Sequence, residues 1–134
     1  MKAFISFELY VRDIQATLDF FASAFEAKPG WTEDDFAVLW FGKTRVALTK
    51  LDLSEFKAPN PVLRDGALEH LGSGVEVVLS VENLDEIYER VSGKVPSITS
   101  ITKQPWGLRD FRFLLEEGYY IRVTEADEDI QSNW

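Results

Sequence analysis

The sequence predicts an α+β protein: a single domain over 1–134, built from two tandem βαβββ modules at about 1–52 and 74–125. Three observations predict it. A strand-like alternation running into a capped amphipathic helix occurs twice, as FISFELYVRDIQATLDFF and as VEVVLSVENLDEIYERV. The two copies keep one offset: Leu9 answers to Leu79, Val11 to Val81, Asp13 to Asn83, Ile14 to Leu84 and Leu18 to Tyr88. Each copy is followed by short β-rich runs divided by glycine-containing turns, and a repeated unit explains this better than two unrelated helices. Such modules are expected to place their helices outside and to form a cupped mixed sheet.

In chain order, residues 4–11 alternate, with Phe7, Leu9 and Val11 on one side and Ser6, Glu8 and Tyr10 on the other, as a half-buried strand does. Asp13 is suited to cap a helix whose Ile14, Leu18, Phe21 and Phe25 share one face, and Pro29-Gly30 reads as its stop. Trp31 and Thr32 read as a short strand, and Glu33-Asp34-Asp35 as an acidic turn. Phe36 to Phe41 is a dense apolar strand, and Gly42-Lys43 turns the chain into another from Thr44 to Lys50.

Leu51 to Gly74 has no clear period. It reads as a connection, about 53–73, with a turn of helix at 67–71 and the one histidine, His70. Without a second histidine or a cysteine nearby, His70 is a poor metal or triad candidate. Val75 to Val81 is the next strand. Asn83 with Glu86 three residues on has the capping-box spacing, and Leu84, Ile87, Tyr88 and Val91 form the apolar stripe of a helix ended by Gly93. Residues 98–103 read as a weaker strand. A hairpin follows: the turn Gln104-Pro105-Trp106-Gly107, a strand from Leu108 to Leu115, the reversal Glu116-Glu117-Gly118, and a strand from Tyr119 to Glu125.

Composition narrows the function classes. Hydrophobic content of 46% with 28% charged residues supports a folded globule. There is no cysteine, so disulfides, thiol chemistry and cysteine zinc sites are excluded. The net charge of −9 argues against nucleic acid as a partner and allows a cationic one. No run is long and apolar enough to suggest a membrane span, and the N-terminus lacks a signal-peptide apolar block, so the expected location is cytoplasmic.

The duplicated pattern resembles the glyoxalase, bleomycin-resistance and dioxygenase superfamily, also called vicinal oxygen chelate proteins. LYVRDIQATLDFF fits its opening strand and helix, and PWGLRDFRFLLEEGYYIRVTE its closing hairpin. Within it the chain is most similar to bleomycin-resistance proteins, on WTEDDFAVLWF, NLDEIYERV and QPWG. The resemblance implies a homodimer and a ligand cleft with aromatic walls at Trp31, Phe36 and Trp106, with Trp40 on the same face as Phe36. Asp34 and Asp35 would meet a cationic group of a flat ligand. Glu76 and Arg122 would face the cup.

The superfamily's enzymes hold a divalent metal at four positions, which fall here on Ser6, Ala47, Glu76 and Arg122. A hydroxyl, a methyl, one carboxylate and a guanidinium suit such an ion poorly, and a Glu76–Arg122 pair could stand in its place. The expected function is therefore small-molecule binding with no metal and no cofactor. The alternative is a metal-dependent lyase, isomerase or dioxygenase of the same superfamily.

Overall fold

The first apolar alternation forms strand β1, Phe7–Val11, in a computed structural model that describes residues 1–51 and 71–134. His70, the helical turn expected at 67–71 up to its last residue, and most of the connection lie outside the described residues. The chain divides into two compact units, Met1–Glu69 and His70–Trp134.

In the first unit β1 is followed by helix α1 (Ile14–Phe25) and strands β2 (Lys28–Thr32), β3 (Phe36–Phe41) and β4 (Thr44–Lys50). Asp13 caps α1 as predicted: its Oδ1 accepts from the Ala16 amide at 2.9 Å. Strand order is β1-β4-β3-β2, with β1 parallel to β4 and the other pairs antiparallel. Period-two alternation sends Ala37, Leu39 and Phe41 to one face and Phe36, Val38 and Trp40 to the other. α1 covers the first of these faces, where Phe21 meets Phe41 edge-on at 5.4 Å. Ile14, Leu18, Phe21 and Ala24 are buried there. Among the described residues no helix of this unit packs on the other face.

Two expectations change. Strand β1 starts at Phe7, not Phe4, because its ladder with β4 begins at the Phe7–Val46 pair. Pro29-Gly30 does not stop α1. The helix ends at Phe25, Glu26 takes the left-handed conformation (φ 57°), and the Ala27 amide donates to the Phe21 carbonyl at 3.3 Å. Pro29 and Gly30 lie inside β2, at the sheet edge, where proline's missing N–H is tolerated.

The second unit repeats the plan. β5 (Glu76–Val81) and α2 (Leu84–Val91) are followed by β6 (Ser97–Ile98), β7 (Thr102–Lys103), β8 (Arg109–Leu114), β9 (Tyr120–Glu125) and a short helix α3 (Glu128–Ser132). The order is β5-β9-β8-β6, with β7 also on β8 and β5 parallel to β9. Leu84, Ile87 and Val91 are buried, and Tyr88 meets Phe111 edge-on at 5.1 Å. The helix side of this sheet therefore holds Phe111, Phe113, Ile121 and Val123, all buried.

The single strand expected at 98–103 is two short ones. Between them the Thr99 amide donates to the Arg112 carbonyl and the Thr99 hydroxyl accepts from the Arg112 amide, each at 2.8 Å. That side chain replaces a ladder bond where the strand breaks. Asn83 stands at the start of α2 but makes no side-chain cap, and Glu86 pairs with Arg90 one turn on instead. Among the described residues no helix is long and apolar enough to cross a membrane.

Candidate functional site

The face of the first sheet opposite α1 carries a cleft of about 490 Å³ lined by Phe4, Trp31, Val38, Trp40 and Arg45. The two-residue Gly42-Lys43 turn sets the hairpin register that pairs Trp40 with Arg45. Across β2 the partner of Trp40 is Lys28. The indole of Trp40 lies over Gly30, where an added Cβ would come within 3.3 Å of both its Nε1 and Val38 Cγ1. Phe4 tilts against Trp40 with 6.3 Å between ring centroids. Trp31 forms an open wall, with 70% of its surface exposed.

Of the residues predicted for the site, Trp31 and Trp40 come together here. Phe36 lies on the same face beyond Val38, paired with Thr49, and does not line the cleft. Asp34 and Asp35 are exposed in the β2–β3 turn and do not line it either. The turn is closed by its backbone: Glu33 N donates to the Phe36 carbonyl at 2.7 Å and Lys50 N to the Asp35 carbonyl at 2.9 Å. Glu8 accepts from the Thr49 hydroxyl on this face.

The face of the second sheet opposite α2 holds a charged network. Arg112 and Arg122 are direct cross-strand partners, which places two like charges side by side. Two carboxylates offset them. Arg122 Nε donates to Glu76 Oε1 at 2.9 Å, and Arg112 Nε lies 3.9 Å from Glu76 Oε2. Asp110, with 1% of its surface exposed, lies 3.6 Å from Arg112 Nη1 and 3.7 Å from Arg122 Nη1. Its Oδ1 accepts from Gln104 Nε2 at 2.8 Å, whereas Oδ2 accepts no hydrogen bond.

The Gln104–Asp110 bond ties down the loop that presents Trp106. The turn closes with the Gly107 amide donating to the Gln104 carbonyl at 2.9 Å, and Gly107 has the positive φ, 96°, that suits glycine. Trp106 is 57% exposed, with the Arg122 guanidinium 6.0 Å from its ring centroid. The Glu76–Arg122 pair forms as expected, and Trp106 lies beside Arg122 rather than being shown against Trp31 or Phe36; Gln104, Asp110 and Arg112 carry no sequence signal that marks them. Nor were Phe4, Val38 and Arg45 singled out. The Arg45–Trp40 pairing was readable in principle, because a two-residue turn determines which residues face each other.

On the helix side of the second sheet Arg109 bridges two elements. Nη1 and Nη2 donate to the Asp85 carboxylate at 3.1 and 2.8 Å, and Nε donates to Glu125 at 3.2 Å. The Arg109 bonds lower the Asp85 pKa from its usual value, and the two carboxylates raise that of Arg109.

A sequence model for the glyoxalase/bleomycin resistance protein/dioxygenase superfamily matches residues 3–123. The chain belongs to that superfamily. Solved structures with the same fold include two bleomycin-binding proteins and a fosfomycin resistance protein. A bleomycin-binding protein complexed with bleomycin is 16% identical, with a TM-score of 0.62 over 94% of this chain and 100% of that one. One from bleomycin-producing Streptomyces verticillus, complexed with copper(II)-bleomycin, is 17% identical, with a TM-score of 0.58 over 95% and 100%. The fosfomycin resistance protein FosX of Mesorhizobium loti is 14% identical, with a TM-score of 0.68 over 98% of each chain. No curated protein matches the sequence.

The four positions that the resemblance assigns to a metal carry side chains that suit an ion poorly. Ala47 offers no donor atom, and Ser6 offers only a hydroxyl ahead of β1. Glu76 is engaged by Arg122, whose own charge opposes a cation. Among the described residues no three His, Cys, Asp or Glu side chains gather in a metal-holding group.

Proposed function

We propose that this superfamily member binds a flat small molecule without a metal, in the manner of a bleomycin-resistance protein. The observation that carries the reading is the cleft between Trp31 and Trp40, on a sheet face that α1 leaves bare. Its volume, about 490 Å³, lies within the range of small-molecule pockets, roughly 300–1,000 Å³. Each well-placed aromatic contact adds about 0.5–1.5 kcal/mol beyond area burial. Trp106, exposed on its glycine turn, is a second stacking surface. A homodimer, with a second chain completing the cleft, is part of this proposal and is supported by the openness of Trp31.

The test is tryptophan fluorescence during titration with bleomycin and with naphthalene-based probes. Saturable quenching is expected, weakened at least tenfold by Trp31→Ala. Equal binding by wild type and by the Trp31→Ala and Trp106→Ala variants overturns the proposal. The alternative, a metal-dependent enzyme of the superfamily, requires a tight divalent ion. Calorimetric titration with zinc and manganese is expected to show no stoichiometric tight site, and one tight equivalent per chain favours the enzyme.

A further inference from the structure

We infer that the Trp31–Trp40 cleft selects a flat aromatic anion, with Arg45 receiving its carboxylate, sulfonate or phosphate group. The inference rests on the proposed cleft and names the chemistry of its ligand. A chain carrying −9 overall places two cations beside its aromatic cleft. Lys28, Trp40 and Arg45 form one cross-strand row, so Trp40 has a basic residue on either side. Arg45 lines the cleft, is half-buried, and makes no hydrogen bond or ion pair among the described residues. A partly desolvated guanidinium without a carboxylate partner is an unmet demand for an acceptor, and its planar fork suits a two-oxygen group.

Among the described residues, the acidic side chains predicted or found near this face do not pair with Arg45. Glu8 is occupied by Thr49, and Asp34 and Asp35 lie in the β2–β3 turn outside the cleft lining. A ring stacked on Trp40 that carries an anionic substituent would satisfy the stacking surface and Arg45 together. A cationic ring would face two like charges across the same indole.

The experiment uses an isosteric charge series: 2-naphthoate, neutral 2-naphthamide and 2-naphthylmethylammonium, titrated by tryptophan fluorescence. Wild type is expected to bind the naphthoate at least tenfold tighter than the amide and to bind the ammonium weakest. Arg45→Gln is expected to weaken naphthoate binding at least tenfold and so remove the preference over the amide, and added salt is expected to reduce that preference in wild type. Should Arg45→Gln fail to fold, the wild-type series alone still decides. Equal or tighter binding of the amide or ammonium overturns the inference and leaves the cleft standing. A preference that survives in folded Arg45→Gln also overturns it. Absence of quenching by every probe, with Trp31→Ala indistinguishable from wild type, overturns the cleft and the inference together.

Discussion

Asp110→Asn is the most informative single change to the second unit. The substitution keeps the volume and leaves an oxygen to accept from Gln104, so it removes charge and little else. Asp110 lies 3.6 and 3.7 Å from two guanidinium nitrogens. At an effective dielectric of about 20 each contact is worth roughly 4–5 kcal/mol of gross Coulomb attraction. Desolvation of the buried carboxylate cancels much of that. Removing one partner of a buried pair typically costs about 3–5 kcal/mol. The arginines are 29% and 21% exposed, so water screens part of their freed charge. The expected loss is therefore about 2–3 kcal/mol. Glu76 then remains as the sole carboxylate against Arg112 and Arg122, and a second change, Arg112→Gln, should recover part of the loss by relieving that excess. Urea unfolding at pH 7 with circular dichroism gives both values. A loss under about 0.5 kcal/mol, or no recovery in the double variant, would refute the charge-balance reasoning.

Three further outcomes are expected. Asp85→Asn should lower the melting temperature slightly at neutral pH, and the difference should start to shrink as pH falls below the usual carboxylate value of 3.8 and be lost below the lowered folded-state value. The sign follows because Arg109 lowers the folded-state pKa of Asp85: the pair stabilises above the unfolded value and is lost as the carboxylate protonates. A difference that does not shrink as pH falls below 3.8 contradicts this. Gly30→Ala should displace Trp40, shift the tryptophan emission and cost about 1 kcal/mol; unchanged emission and stability would mean that Trp40 is not seated on Gly30. Light scattering at micromolar concentration should give about twice the 15.3 kDa chain mass, and a strict monomer excludes a cleft completed by a second chain.

Local signals made much of the fold legible before any coordinates. Asp13, the apolar stripe of α1 and the Gly42, Gly107 and Gly118 turns are encoded within a few residues of where they act. The errors arose where a nearby signal lost to a partner farther along. Pro29-Gly30 reads as a helix stop, yet pairing with β3 draws both into a strand while Glu26 ends the helix. Asn83 and Glu86 have capping-box spacing, but Arg90 takes Glu86. Parts of the candidate site were legible where an aromatic stands out in a turn, as at Trp106, or where a resemblance pointed, as at Trp31, Glu76 and Arg122. Asp110 and Arg45 were hidden because each is one polar residue in an ordinary alternation. Their meaning comes from strand neighbours: Arg112 and Arg122 for the first, Trp40 for the second.

Each unit closes its sheet by laying its first strand beside its last, with Glu8 opposite Ala47 and Glu76 opposite Tyr120. This arrangement sets an order of assembly. The β3–β4 and β8–β9 hairpins join residues close in sequence and can form early, whereas β1 and β5 must wait for strands dozens of residues later. This predicts that the opening strand docks late, after the folding barrier. Weakening substitutions at Leu9 or Val77 should speed unfolding and leave the refolding rate nearly unchanged. During synthesis β1 is made before β4, so it lacks its strand partner until β4 has emerged.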